Sequence, residues 1–124
     1  MEGRPISPAG PRLIQGYDEG GFRIAGTRHA GSVLVLPEQT LAWPVAAPEE
    51  VTAESLAPVR TADPAIEILV LGCGARFVPV PARLRAALRA DGIVVEAMAT
   101  GAACRTYNLL LAENRRVAAA LIAL

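Results

Sequence analysis

Apolar positions change their period along this chain. From Leu13 to Trp43 they fall in short runs broken by glycine and acid. These runs are Leu13–Tyr17, a turn at Asp18–Gly21, Phe22–Ile24, then Ser32–Leu36 closed by Pro37, and Thr40–Trp43 before Pro44. They predict a hairpin followed by further antiparallel strands. Thr52 is placed to cap a short helix from Ala53 to Val59, and Asp63-Pro64 ends that connection. Beyond it, strand and helix alternate. Ile66–Leu71 is near-continuously apolar, as for a strand covered on both faces, and Gly72-Cys73-Gly74 interrupts it. Pro81–Asp91 reads as a helix with Leu84, Ala87 and Leu88 on one face and Gly92 as its stop. Ile93–Met98 follows as a second parallel strand. A last helix is predicted from Ala102 to Leu121, with Tyr107, Leu110, Val117 and Leu121 on a buried stripe that Asn114 interrupts. The fold class is therefore α/β with α+β character, N-terminal antiparallel strands leading into a βαβα unit.

Composition bounds this picture. A chain of 124 residues is the size of one small domain, assigned to residues 13–124. Residues 1–12, with Pro5, Pro8 and Pro11 among Gly and Ser, are expected to form a flexible arm. Twelve basic and twelve acidic residues cancel, so no cationic excess favours nucleic acid as a partner. The longest apolar run, Val117–Leu124, is far short of the roughly 18 to 20 residues that span a bilayer. The opening Met1-Glu2-Gly3-Arg4-Pro5 has no secretory pattern, which predicts a cytoplasmic location. Cys73 and Cys104 fit no zinc pattern with the single His29, so they are expected as reduced thiols, and no metal or organic cofactor is called for.

Ligands of open α/β sheets gather beyond the carboxyl ends of parallel strands, where helix N-termini present free N–H groups. Two segments meet that description, and adjacent parallel strands would bring them to one rim. From the first come Gly72, Cys73, Gly74 and Arg76; from the second come Thr100, Cys104, Arg105, Thr106, Tyr107 and Asn108. The first is no dinucleotide loop, because Phe77 stands where the third glycine is needed and the helix starts later. Cys104, beside Arg105 at a helix start, would hold a stabilised thiolate. The plainer reading, a small buried thiol packing the first turn, is preferred for want of a His partner. A redox pair of Cys73 with Cys104 is conceivable in geometry only. His29 is expected on a strand edge, Asp18 and Glu19 as solvated loop acids, and Tyr107 as a core anchor with its hydroxyl at the rim. Glu113 is expected to pair with Arg116 one turn on.

Three stretches together carry a family resemblance: Gly31–Val35, Ile66–Gly74, and Gly92–Thr100 continuing through Ala103-Cys104-Arg105-Thr106-Tyr107-Asn108-Leu109 to Glu113 and Val117–Leu121. They resemble the small domain shared by mitochondrial complex I assembly factor 3, the adipogenesis-associated domain protein and many bacterial and archaeal proteins, over about residues 13–124. The resemblance implies a three-layer fold with a mixed central sheet, helices on its faces and an additional hairpin. It implies no established enzymatic activity. By analogy it implies an interaction or assembly protein, working with assembly factors or respiratory subunits, peripheral to a membrane complex. The alternative is a small-molecule or anion site, or an enzyme, at the rim.

The neutral total hides a polarity. Glu38–Glu67 holds six acids (Glu38, Glu49, Glu50, Glu54, Asp63, Glu67) against Arg60, a net of −5. Arg76–Arg116 holds seven Arg against Asp91, Glu96 and Glu113, a net of +4. All twelve basic residues are Arg, whose planar guanidinium suits bidentate contacts, so a partner surface is expected on the basic half.

Overall fold

The computed structural model describes residues 12–124. Strands β1 (Ile14–Asp18), β2 (Gly21–Ile24) and β3 (Thr27–Ala30) form an antiparallel sheet in that order. The predicted hairpin is its first half; β3 is an addition, admitted because Ala25 and Gly26 both take positive φ and turn the chain back after only two residues. A second, mixed sheet runs in the order β5-β4-β8-β6-β7, from β4 (Val33–Val35), β5 (Thr40–Ala42), β6 (Ile68–Gly72), β7 (Val94–Met98) and β8 (Val117–Leu121). The expected short helix is a 3-10 turn, Glu54–Leu56, running into α1 (Ala57–Arg60). Thr52 caps it as predicted: its Oγ1 accepts the Ser55 N–H at 3.0 Å while its own N–H donates to Ser55 Oγ at 3.0 Å.

Helix α2 (Ala82–Ala90) joins β6 to its parallel neighbour β7. Gly92, at φ +79°, ends it: the Gly92 N–H donates to Arg89 O (2.9 Å) and the Ile93 N–H to Leu88 O (2.9 Å). Helix α3 (Thr100–Ala112) then crosses the other face and delivers the chain to β8 on the far side of β6.

Here the predicted long helix is overturned. The helix stops at Ala112 and residues 117–121 are the central strand of the sheet, antiparallel to β4 and parallel to β6. Asn114 is the switch, a non-glycine residue in the left-handed region at φ +61°. Its N–H donates to Leu111 O (3.0 Å) and the Arg115 N–H to Leu110 O (3.1 Å), the same closure that Gly92 gives α2. The expected Glu113–Arg116 pair fails for the same reason, since Arg116 has left the helix. Its guanidinium instead pairs with Glu67 at 3.0 Å and donates to Ala65 O at 2.8 Å.

The main sheet separates two apolar layers, giving the three-layer arrangement. Leu69, Leu71, Ala118, Ala120 and Ile122 face α2, α1 and Trp43. Val70, Val117, Ala119 and Leu121 face α3 and the small sheet, through Tyr107, Ile14, Phe22 and Ile24. Val117 and Leu121 therefore share a layer with Tyr107 as expected, but from a strand beneath the helix and not along its stripe. The arm expected over residues 1–12 lies outside the described residues except for Arg12, whose guanidinium donates to Glu38 O at 2.8 Å. Among the described residues no helix is long and apolar enough to cross a membrane.

Candidate functional site

The two rim segments do meet, and Thr100 ties them. This buried residue opens α3; its Oγ1 donates to Ile122 O (2.8 Å) and accepts the Gly74 N–H (2.9 Å), while the Thr100 N–H donates to Gly74 O (2.8 Å). One side chain thus joins the ends of β6, β8 and the start of α3. Gly72 allows that close approach: a Cβ there would stand 3.0 Å from Thr100 Oγ1 and 3.1 Å from Leu121 Cδ2, so its neighbours would have to give by a few tenths of an ångström. Gly74 takes φ +97° to turn out of the strand.

The remaining candidates separate. Cys73, by strand alternation, falls in the α2-side layer, buried with Leu71, Leu84 and Ile122, its Sγ 3.6 Å from Val78 O. Cys104 is buried in the opposite layer. The sheet stands between the two thiols, so the structure does not bring them together as a pair. Arg76 and Arg105 are exposed and Thr106 half-buried.

Tyr107 is fully buried, and its hydroxyl has no hydrogen-bond partner among the described residues. Burial pushes its phenol well above the ordinary value, with Arg12 opposing. It anchors the core more deeply than a residue with its hydroxyl at the rim would.

Three of the candidates, Cys104, Arg105 and Asn108, line one cleft of about 210 Å³ between α3 and β1, with Gly101 beside them on the helix and Gln15 and Tyr17 facing them from the strand. Asn108 uses its whole amide on the backbone of β1, donating from Nδ2 to Ile14 O (2.8 Å) and accepting the Ile14 N–H at Oδ1 (2.9 Å). Burial pushes the Cys104 thiol up to about 11, against the opposing influence of Arg105, so the thiol and not the thiolate is the species at neutral pH. Gly101 is close beneath Tyr17, whose hydroxyl a methyl group there would overlap. Gln15 and Tyr17 were not among the sequence candidates. Their only signal is Gly101 itself, a poor helix former in a first turn, which marks a close approach without naming what approaches. His29 lies on β3, an edge strand. Asp18 pairs with Arg28 at 2.8 Å on the surface. Among the described residues no group of His, Cys, Asp and Glu could hold a metal ion.

The family model described as "Protein of unknown function (DUF498/DUF598)" matches residues 14–122, every element of both sheets. The chain belongs to this family. An uncharacterised protein of Rhodobacter capsulatus is 39% identical over 114 residues, covering 92% of this DUF498 chain and 86% of its own length. The NADH dehydrogenase [ubiquinone] 1 alpha subcomplex assembly factor 3 of Danio rerio is 41% identical over 110 residues, 89% of this chain. This DUF498 chain spans 63% of that assembly factor's length, and 59% of the Homo sapiens protein, to which it is 37% identical over 109 residues. Among solved structures, an outer membrane protein from Bartonella henselae superposes with a TM-score of 0.85 at 38% identity, over 93% of this chain and 97% of that one. A Rhodopseudomonas palustris protein does so at 0.81 and 44% identity, over 100% and 93%. A Bordetella pertussis structure described as an Mth938-like domain matches at 0.79 and 29% identity, over 99% and 91%.

Proposed function

We propose that this DUF498 protein is an interaction protein that assists assembly of respiratory complex I, acting from the cytoplasm on a membrane-bound assembly. The observation that carries this is the 41% identity to assembly factor 3 over 110 residues, 89% of this chain. The chemistry of the rim is in keeping with it: Thr100 and Asn108 spend their polar atoms on backbone, and Cys104 is a protonated, buried thiol. Deleting the gene in the native cell tests the proposal. Complex I on native gels and NADH:quinone activity should both fall and return on complementation. Normal complex I in the deletion strain refutes it.

A second reading, an anion or small-molecule site, draws on the β1–α3 cleft, where Arg105 has no carboxylate partner among the described residues. A thermal-shift screen of anions and metabolites tests it, because a ligand of the folded form alone must raise Tm. The rise should vanish in Arg105→Ala with Cys104→Ala; no rise with any candidate leaves the cleft without a ligand.

A further inference from the structure

Strand β7 is an open edge of the main sheet. Its Val94, Glu96 and Met98 backbones face β6, as shown by the Val94 N–H donating to Glu67 O (2.9 Å) and Met98 O accepting the Cys73 N–H (2.8 Å). Val95 and Ala97 therefore turn their N–H and C=O groups outward. Among the described residues the one outward group with a partner is Val95 O, which accepts from Arg85 Nη1 at 3.2 Å. Proteins ordinarily blunt such edges. This one is instead flanked by two different surfaces. On the α3 side a groove of about 410 Å³ runs between the edge and the helix, lined by the apolar Ile68, Val94, Met98 and Leu110 and by the polar Glu96, Thr106 and Arg115. Val94 is 57% exposed there, unusual for a valine in a sheet. On the α2 side stand Arg85 and, one helical turn on, Arg89, both exposed. The nearby Asp91 is already taken by Arg60 at 2.5 Å.

From this we infer that β7 receives an extended segment of a partner protein, paired with the backbone of Val95 and Ala97, in which acidic residues facing Arg85 and Arg89 alternate with apolar residues entering the α3-side groove. Strand addition takes its affinity from main-chain bonds and its specificity from alternate side chains, so the two flanks dictate the two-residue repeat. A second copy of this chain fits poorly. Antiparallel pairing of two β7 edges would put Arg85 and Arg89 against their own counterparts on one face and Glu96 against Glu96 on the other. The inference rests on the assembly reading above and gives it a surface.

The probe is a labelled peptide, acetyl-Ser-Ile-Glu-Val-Glu-Ile-Glu-Ser-amide, set against its Glu-to-Arg counterpart, titrated into the whole purified protein by fluorescence anisotropy and by NMR. The acidic probe should bind at least tenfold tighter than the basic one, and the Val95 and Ala97 amides should shift and gain exchange protection. Arg85→Glu with Arg89→Glu should reverse that preference. Ala97→Pro should abolish binding while keeping the fold, because the lost N–H points away from β6. Equal binding of the two peptides, shifts centred on Gln15–Tyr17, or a dimer in sedimentation that Ala97→Pro dissolves would each overturn the proposal. Complementing the deletion strain with the double Arg variant separates the two claims. Full rescue removes β7 as the assembly surface and leaves the assembly role standing, whereas normal complex I in the deletion strain itself refutes only the role.

Discussion

Replacing Thr100 by valine keeps the shape of the side chain and removes one oxygen from the point where β6, β8 and α3 meet. That oxygen serves two buried backbone groups, the Gly74 N–H at 2.9 Å and Ile122 O at 2.8 Å. A hydrogen bond contributes about 1 kcal/mol net, and a stranded buried polar group costs about 1–3 kcal/mol. Thr100→Val is therefore expected to lose about 2–3 kcal/mol, or about 10 °C in Tm for a domain of this size. Thr100→Ser is the control. It keeps the hydroxyl and deletes one methyl, costing about 1 kcal/mol. Urea unfolding followed by circular dichroism measures both, with equal m-values as the check that only stability has changed. The order wild type, Ser, Val is the prediction. A valine variant as stable as wild type, or more stable than the serine variant, refutes the view that this hydroxyl holds the rim together.

Three further residues give outcomes to measure. Asn108→Ala should cost about 2 kcal/mol by freeing both polar groups of Ile14, and hydrogen exchange should show the Ile14 amide opening faster than those of β6. The Cys104 thiol, up at about 11 in the folded protein, should react with iodoacetamide at pH 8 about a hundredfold more slowly than a free cysteine. Because its folded value lies above the unfolded one, its contribution to stability is complete below about pH 9 and is lost as pH rises toward 11; Cys104→Ala should remove the part of the decline that begins near pH 9 and leave the part above about pH 10 that the raised Tyr107 phenol adds. At Asn114, with φ +61°, glycine should be neutral or stabilising by about 0.5 kcal/mol and alanine destabilising by about 1 kcal/mol. An alanine variant more stable than wild type would mean that the helix prefers to run on.

Local chemistry made much of this molecule readable from its residues. The Asp18–Gly21 turn, the Thr52 cap and the Gly92 stop each act within a few residues of themselves and stand where the pattern put them, while the strand expected over Ile66–Leu71 forms slightly later, as Ile68–Gly72, and takes in the glycine expected to break it. The family resemblance likewise rests on contiguous stretches, and the match over residues 14–122 bears it out. Residues 117–121 behave differently. Val-Ala-Ala-Ala-Leu satisfies a helical and an alternating pattern alike, and alanine's intrinsic preference is for helix. What makes it a strand is the pair of neighbours waiting on either side: Val35 and Leu34 of β4, Val70 and Leu71 of β6. Three alanines suit that central place because α3 and the α2-side layer both press on it, and larger side chains would force them apart. The same parity along the strands sends Cys73 to one layer while α3 carries Cys104 in the other. Turn, cap and run signals thus determined most of the short-range elements, and only the assembled sheet decided the state of residues 117–121 and which residues face one another, because strand pairing and burial are set by segments far apart in the chain.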